Sequence, residues 1–459
     1  MVYSSLLFIY GFLPVSLVFF YITPKRYREI TLLLVSTVFC GLISLYYLIF
    51  MIAFTGANYV FAHLISRLRK NEKLSALPLA SGIITDLAAL LVFRTDYFSW
   101  LHGVMKVPDG FFPVGISFFS LAAVGTLIDV YKRRINAEKN IVRFSLYFMF
   151  FPRIIMGPLL RYTVFRKILD SRKESPENIG LGLTIFVKGL AKKVIIADDL
   201  YMLFSAVHSQ NIKEISAVTA WLGITAFILC LYFNLSGFAD MGRGIAYCFG
   251  YHFPQSFNYP LISTKIKYFA ARWQSQVIQW LRRYVTKPLY RVCSYRWIKE
   301  LIFIFGWTLF GIWYTFKING AVWGILIGSA VVIESRLSKR KPLNITGIIY
   351  TCLIILICSV FLAENSLLYS CRYLLAMMGG NGVIADAQAF YLLKSYIVLI
   401  LVAVYAASDL FRNLMMRSGR EKVKNAITAA STFFVLAALT ICTALMSYNG
   451  SSEMLLMKL

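Results

Sequence analysis

Apolar residues run almost unbroken through stretches close to 20 residues long from one end of the chain to the other, and polar residues collect in the short gaps between them. A helix rises about 1.5 Å per residue, so each such stretch is long enough to cross roughly 30 Å of hydrocarbon. The pattern predicts spans near residues 4–22, 30–48, 48–66, 77–93, 111–131, 143–160, 179–196, 217–235, 301–316, 320–334, 344–363, 390–409 and 425–445. That makes about eleven to thirteen crossings, since some of these stretches are short enough to be half-length or re-entrant. Backbone groups in lipid must find their partners inside each segment, so the expected class is an all-α, polytopic membrane protein. The run from Ser4 to Ile22 has no basic region before it and no small-residue cleavage site after it, so it is expected to stay as a span.

Composition agrees with the pattern. Of 459 residues, 59% are hydrophobic and 15% charged, with a mean hydropathy of +0.68, against about 25% charged in ordinary soluble domains. The formal net charge of +26 does not indicate nucleic acid, which would need a solvated basic face turned towards phosphates. The 47 Lys and Arg fall mainly between apolar runs, at Lys25–Arg28, Arg67–Lys73, Lys132–Arg134, Arg336–Lys341 and Arg412–Lys424. That is the distribution of cytoplasmic loops, and it puts the amino terminus outside. Anionic lipid headgroups are the expected partners of these cations. The eight cysteines are scattered singly with no CxxC spacing, so packing is their expected role and no metal site is predicted. The chain divides into amino-terminal membrane helices (1–110), a core (111–380) and carboxy-terminal membrane helices (381–459), and it contains no repeat and no separate soluble domain.

The alternation of sides fails in the middle, where Arg153, Arg161, Arg166, Lys188, Lys192, Lys193 and Arg243 sit in or beside apolar segments. A cation on a lipid-exposed midplane costs about 2.5–3.5 kcal/mol on insertion scales, so these are expected to face a wet cavity, an interface or an embedded loop. Residues 251–298 are rich in aromatic and basic residues and read as amphipathic helices lying at the cytoplasmic interface.

Several motifs interrupt this background in a fixed order: Phe112-Pro-Val-Gly-Ile-Ser-Phe-Phe119, Asp129-Val-Tyr-Lys132, Phe150-Phe-Pro152 with Gly157-Pro-Leu-Leu-Arg-Tyr162, and Tyr232-Phe-Asn-Leu-Ser-Gly-Phe-Ala-Asp-Met241. Phe257-Asn-Tyr-Pro260, Arg272-Trp273, Gly311-Ile-Trp313 through Trp323-Gly324, and Phe361-Leu-Ala-Glu364 follow. Pro113, Pro152, Pro158 and Pro260 remove backbone donors in or beside spans and mark broken helices of the kind that line cavities. Ser236 and Asp240 stand four apart on one helical face, and a buried carboxylate there needs a partner such as Arg243 or Arg161. That face is either a structural ion pair or the polar wall of a substrate tunnel.

The order and spacing of the motifs, over roughly residues 1–410, resemble the membrane-bound O-acyltransferase (MBOAT) family, in its bacterial branch that O-acetylates alginate and related exopolysaccharides. The resemblance implies an acyl donor (acetyl-CoA or another acyl carrier), no bound cofactor, a polysaccharide acceptor or an extracytoplasmic acetyltransferase partner, and a place in the cell membrane. It implies a tunnel bordered by Trp273, Trp313, Asp240, Ser236, Arg161 and Asn258. Where the family shows Arg-Trp-His this chain has Arg272-Trp273-Gln274, and where the family shows Gly-Leu-Trp-His-Gly it has Gly311-Ile-Trp313-Tyr314-Thr315. A further His-Gly after Trp-Gly is replaced by Ile327-Gly328.

Acyl transfer to a sugar hydroxyl needs a base near neutral pH, and imidazole, with a pKa of about 6.5, suits that task. Tyrosine, at about 10, is a poor base, and an amide such as Gln274 accepts no proton. The four histidines, His63, His102, His208 and His252, stand elsewhere and have no catalytic companion in sequence. The expectation is therefore an MBOAT-fold protein of polysaccharide O-acylation that is catalytically degenerate and acts as a scaffold or acyl conduit. The alternative is an active O-acyltransferase with a non-histidine site at Tyr314 and Gln274.

Overall fold

The computed structural model describes residues 2–95, 111–337, 344–364, 366–408 and 421–449. His102 and most of the basic clusters Arg336–Lys341 and Arg412–Lys424 lie outside the described residues. All regular structure among the described residues is helical. In chain order the helices are α1 (Leu7–Ile22), α2 (Arg28–Ile43), α3 (Leu45–Arg67), α4 (Glu72–Arg94), α5 (Ile116–Tyr131), α6 (Ile141–Met149), α7 (Tyr162–Asp170), α8 (Pro176–Ala191), α9 (Asp198–His208) and α10 (Ala217–Cys248). After these come α11 (Ile266–Arg272), α12 (Ser275–Leu281), α13 (Lys287–Val292), α14 (Arg296–Thr315), α15 (Ile318–Leu337), α16 (Asn344–Ala363), α17 (Leu367–Met377), α18 (Ala387–Ala406) and α19 (Glu421–Asn449).

Every expected span holds a helix. Among the described residues, six of these helices, α3, α4, α10, α15, α16 and α18, are long and apolar enough to cross a membrane, and four shorter apolar helices accompany them. The protein is a multi-pass, all-α membrane protein. The boundary between the second and third spans, expected at residue 48, falls instead at Ser44, whose extended backbone (φ −171°, ψ 145°) separates α2 from α3. The 143–160 stretch is not one span. It breaks after α6 into the one-turn helix Phe151–Ile154 and an irregular segment. The aromatic, basic stretch forms the short helices α11 to α13.

The described chain forms two compact units, one from the chain up to Gly189 with Phe238–Gln255 and the residues from Met446, the other from Leu190–Gly237 and Ser256–Leu445. In the first unit an aromatic core joins Phe8, Phe12, Phe39, Phe151 and Phe249, with ring centroids 5.4 to 6.4 Å apart. Gly115 precedes α5 with φ of 82°, and a Cβ there would run into the Ile154 carbonyl. The Phe-Pro-Val-Gly and Phe-Phe-Pro motifs therefore meet at a place where only glycine fits.

Arg153, the most awkward of the central cations, sits in this broken segment. Its guanidinium donates to the carbonyls of Tyr147 (2.6 Å) and Pro158 (3.1 Å) and lies over the Tyr147 ring at 4.4 Å. The broken helix thus supplies the acceptors that the cation needs, and the cation satisfies carbonyls that the break sets free. Arg243 pairs with Asp240 at 3.6 Å, one turn apart on α10. In the second unit Lys193 pairs with Asp198 at 2.8 Å.

The second unit is built on the α14–α15 hairpin. α15 carries Gly320, Gly324 and Gly328 at four-residue spacing, and α14 carries Gly311 opposite them. A Cβ at Gly320 would meet the Gly311 carbonyl, one at Gly311 the Gly320 carbonyl, and one at Gly324 the Trp307 carbonyl. The backbones touch, which is how small residues four apart bring membrane helices together where lipid removes the hydrophobic drive. At the far end of α15, the buried Glu334 carboxylate accepts the Ile266 and Lys267 amides, both at 3.2 Å, and caps α11.

Candidate active site

The second unit holds the two segments, Trp273–Gln274 and Trp313–Tyr314, at which the resemblance implies a site. Trp273 and Gln274 form the joint between α11 and α12. Trp273 is 1% exposed, and its ring is boxed by Phe257, Phe269 and Tyr232, with centroids at 5.6, 5.4 and 6.3 Å. Gln274 turns the chain in the left-handed region (φ 38°, ψ 51°) and is buried. Two backbone bonds tie this joint to the Phe257-Asn-Tyr-Pro motif: Asn258 N–H donates to Arg272 O (3.3 Å), and Ser275 N–H to Ser256 O (3.1 Å). A non-glycine residue in this region costs of order 1–3 kcal/mol and persists where its surroundings over-determine it.

Trp313 and Tyr314 lie in the last turn of α14. Tyr314 is buried, its ring 5.8 Å from Phe310 and 6.0 Å from Trp323, and Trp313 is half-buried and stacked on Phe310 at 5.9 Å. Ile327 is fully buried on α15. The helices that carry these segments, α11, α12 and α14, line a cavity of about 340 Å³, but Trp273, Gln274, Trp313 and Tyr314 are not among its lining residues. Its lining includes Ala270, Ala271 and Ile278, on either side of the Trp273-Gln274 joint in sequence, and Trp307 and Phe310 of α14. Lys267 and Arg282 add two cations to a lining that is otherwise largely apolar.

Several polar atoms buried in this unit have no hydrogen-bond partner within the protein: Trp273 Nε1, Gln274 Oε1, Trp323 Nε1, Asn234 Nδ2 and Ser236 Oγ. Buried groups of this kind cost about 1–3 kcal/mol each when unsatisfied and mark places where other chemistry is met. Ser236 is 2% exposed, whereas Asn258 is exposed. In the first unit, Asp240 is held by Arg243, and Arg161 is exposed at the start of α7.

The described histidines stand away from Gln274, Tyr314 and Ile327 in the sequence. His63 contacts the Tyr59 carbonyl (2.9 Å) and His252 the Asn178 side chain (3.3 Å). His208 has a partner that sequence spacing did not reveal: its Nδ1 lies 3.3 Å from Oε1 of the buried Glu364, the last residue of the Phe361-Leu-Ala-Glu motif. The carboxylate raises the imidazole pKa above its ordinary value. Asn319, in the first turn of α15, donates to the Glu364 carbonyl at 2.7 Å and so ties this pair to the turn that follows Tyr314. No group of three or more metal-ligating side chains occurs among the described residues.

Over 382 residues, 80% of this chain and 72% of the relative, the sequence is 30% identical to the probable alginate O-acetylase AlgI of Pseudomonas aeruginosa. The chain belongs to the membrane-bound O-acyltransferase family. The MBOAT relationship extends to the probable alginate O-acetylase AlgI of Azotobacter vinelandii, 29% identical over 88% of this chain and 83% of that one. It also takes in the peptidoglycan O-acetyltransferase of Helicobacter pylori, 27% identical over 83% of this chain and 81% of that one. No family model matches the chain.

Proposed function

We propose that this MBOAT protein serves the O-acylation of a cell-surface polysaccharide, holding or passing an acyl group at the Trp273–Gln274 and Trp313–Tyr314 segments without performing the proton transfer there itself. The observation that carries the reading is the chemistry at the family positions. In acyl transfer the acceptor oxygen attacks the acyl carbonyl while a base removes its proton, and neither Gln274 nor the Tyr314 phenol is a competent base near neutral pH. Loss of that help typically costs 10²- to 10⁴-fold in rate.

The unit keeps what acyl binding needs. An apolar cavity with Lys267 and Arg282 in its wall suits a donor that carries an acyl chain on an anionic carrier, as acetyl-CoA or a phosphopantetheine-bearing carrier does. Trp273 Nε1 can donate to an acyl carbonyl, and Gln274 Oε1 can accept from a hydroxyl. The base then comes from a partner, an active family member or an extracytoplasmic acetyltransferase.

The test is polysaccharide acetylation in cells carrying the native chain, Tyr314→Phe or an empty vector, with any active family member deleted. The native chain and Tyr314→Phe should match the empty vector. Acetylation that appears with the native chain and vanishes with Tyr314→Phe would overturn the scaffold reading in favour of a working tyrosine.

A further inference from the structure

Three polar side chains in the first unit take no part in anything above. Thr55 and Asn58 on α3 and Asp86 on α4 are 3%, 1% and 1% exposed. Both helices are among those long and apolar enough to span a membrane. Asp86 stands about 21 Å of helix from Glu72 and about 12 Å from Arg94, and Asn58 about 20 Å from Leu45 and about 14 Å from Arg67, so the pair lies deep within the spans. A lone carboxylate at that depth is expensive, and such residues mark sites.

The hydrogen-bond inventory of the pair is short. Asn58 Nδ2 donates to the Phe54 carbonyl at 3.1 Å and to Asp86 Oδ1 at 2.8 Å, which uses both amide hydrogens. The opposite amide orientation would aim Oδ1 at the Phe54 carbonyl, an acceptor in any state of Asp86, so that carbonyl fixes this one. Asn58 Oδ1 and Asp86 Oδ2 are then left buried with no partner in the protein, and both are acceptors if Asp86 is ionised. One proton on Oδ2 changes the count. The acid O–H can donate to Asn58 Oδ1 while Asn58 Nδ2 donates to Asp86 Oδ1, closing a cyclic acid–amide pair in which no polar atom is left over. Thr55 Oγ1, one turn earlier on the same face, is a further buried oxygen without a partner and extends the polar cluster along α3.

No described cation pairs with Asp86, whose hydrogen-bond partner among the described residues is Asn58. On the elements packed around it, α3, α4, α5 and α6, the charged and titratable groups sit towards helix ends or are engaged elsewhere. His63 is bound to Tyr59 O, Asp129 to Arg134, Arg143 to Glu29 and Asp170, and the Tyr147 hydroxyl to Leu160 O. Arg67, Glu72, Lys73 and Arg94 occupy the ends of α3 and α4.

We propose that Asp86 and Asn58 form an intramembrane proton-binding site that holds one proton on Asp86 Oδ2 at neutral pH. The protonated pair is neutral and joins α3 to α4 by two hydrogen bonds. Release of the proton leaves a buried charge and breaks one of them, so this is the point at which pH acts on the α3–α4 hairpin.

The test uses the full-length protein in lipid nanodiscs with isotope-labelled aspartate. Infrared spectra at neutral pH should show a protonated-carboxyl band that is lost in Asp86→Asn and shifted in Asp86→Glu. Asp86→Asn can reproduce the acid's donor with its own amide, so it should unfold at the native midpoint at neutral pH. It should also escape the fall in midpoint that the native protein shows on going alkaline. Replacing sodium by choline at constant ionic strength should leave the native midpoint unchanged. A native spectrum with no Asp86-dependent protonated band at neutral pH overturns the proposal, and so does a sodium-specific rise in midpoint that Asp86→Asn abolishes, since that would make the site a sodium site. If Asp86→Asn does not accumulate, the shift of the band in Asp86→Glu decides the matter.

Discussion

His208 ends α9 and Glu364 follows α16, and the 3.3 Å between imidazole Nδ1 and carboxylate Oε1 joins two segments that no sequence spacing relates. The pair has one exposed member and one buried member, with side-chain exposures of 40% and 3%, so breaking it leaves the carboxylate as the group in difficulty.

The raised imidazole pKa sets a pH dependence with a definite sign. A group whose folded pKa lies above its unfolded value of about 6.5 contributes stability that is complete below that value and is lost as pH rises through the folded pKa. With His208 largely exposed, screening holds the contribution to about 0.2–1 kcal/mol. The unfolding midpoint of the native protein should exceed that of His208→Gln most in acid, with the gap closing as pH rises above about 6.5. A gap that does not change with pH would mean that the ion pair contributes nothing.

The α14–α15 hairpin depends on bare backbone contact. Gly320→Ala places a methyl against the Gly311 carbonyl and the Thr315 hydroxyl, and an overpacked interface of this kind typically loses about 1–3 kcal/mol. Gly180→Ala on α8 meets nothing within 4 Å and should instead gain about 0.5–1 kcal/mol from helix propensity. Thermal unfolding of the two variants beside the native protein checks the opposite signs. Equal effects would show that the hairpin has room to spare.

Glu334 caps α11 with both carboxylate oxygens. Glu334→Ala removes both acceptors and should cost about 1–3 kcal/mol, felt first in the short helix that leads to Trp273. Hydrogen exchange of the backbone amides in 266–272 should accelerate in Glu334→Ala and much less in Glu334→Gln, which keeps one acceptor oxygen. Unchanged exchange in the alanine variant would rule out the cap as what holds α11 in place.

Much of this protein could be read along the chain because the bilayer leaves a sequence few choices. Apolar length forced helices, and each expected span contains one. The identities of Gln274, Tyr314 and Ile327, which stand where the resemblance implies histidines, were read from the sequence alone. The glycine spacing Gly320, Gly324, Gly328 was a local signal that could have announced the close hairpin. What only the tertiary structure decided is which polar group meets which. Arg153 finds its acceptors in the broken helix beside it, and Glu334 reaches the start of a helix far earlier in the chain. His208 finds Glu364, and Asn58 finds Asp86. Hydrophobic periodicity is blind to such pairs because they depend on helix rotation and register, which are set by packing. In a membrane interior, where water cannot take the place of a missing partner, those few pairings decide which ionisable groups the fold can hold.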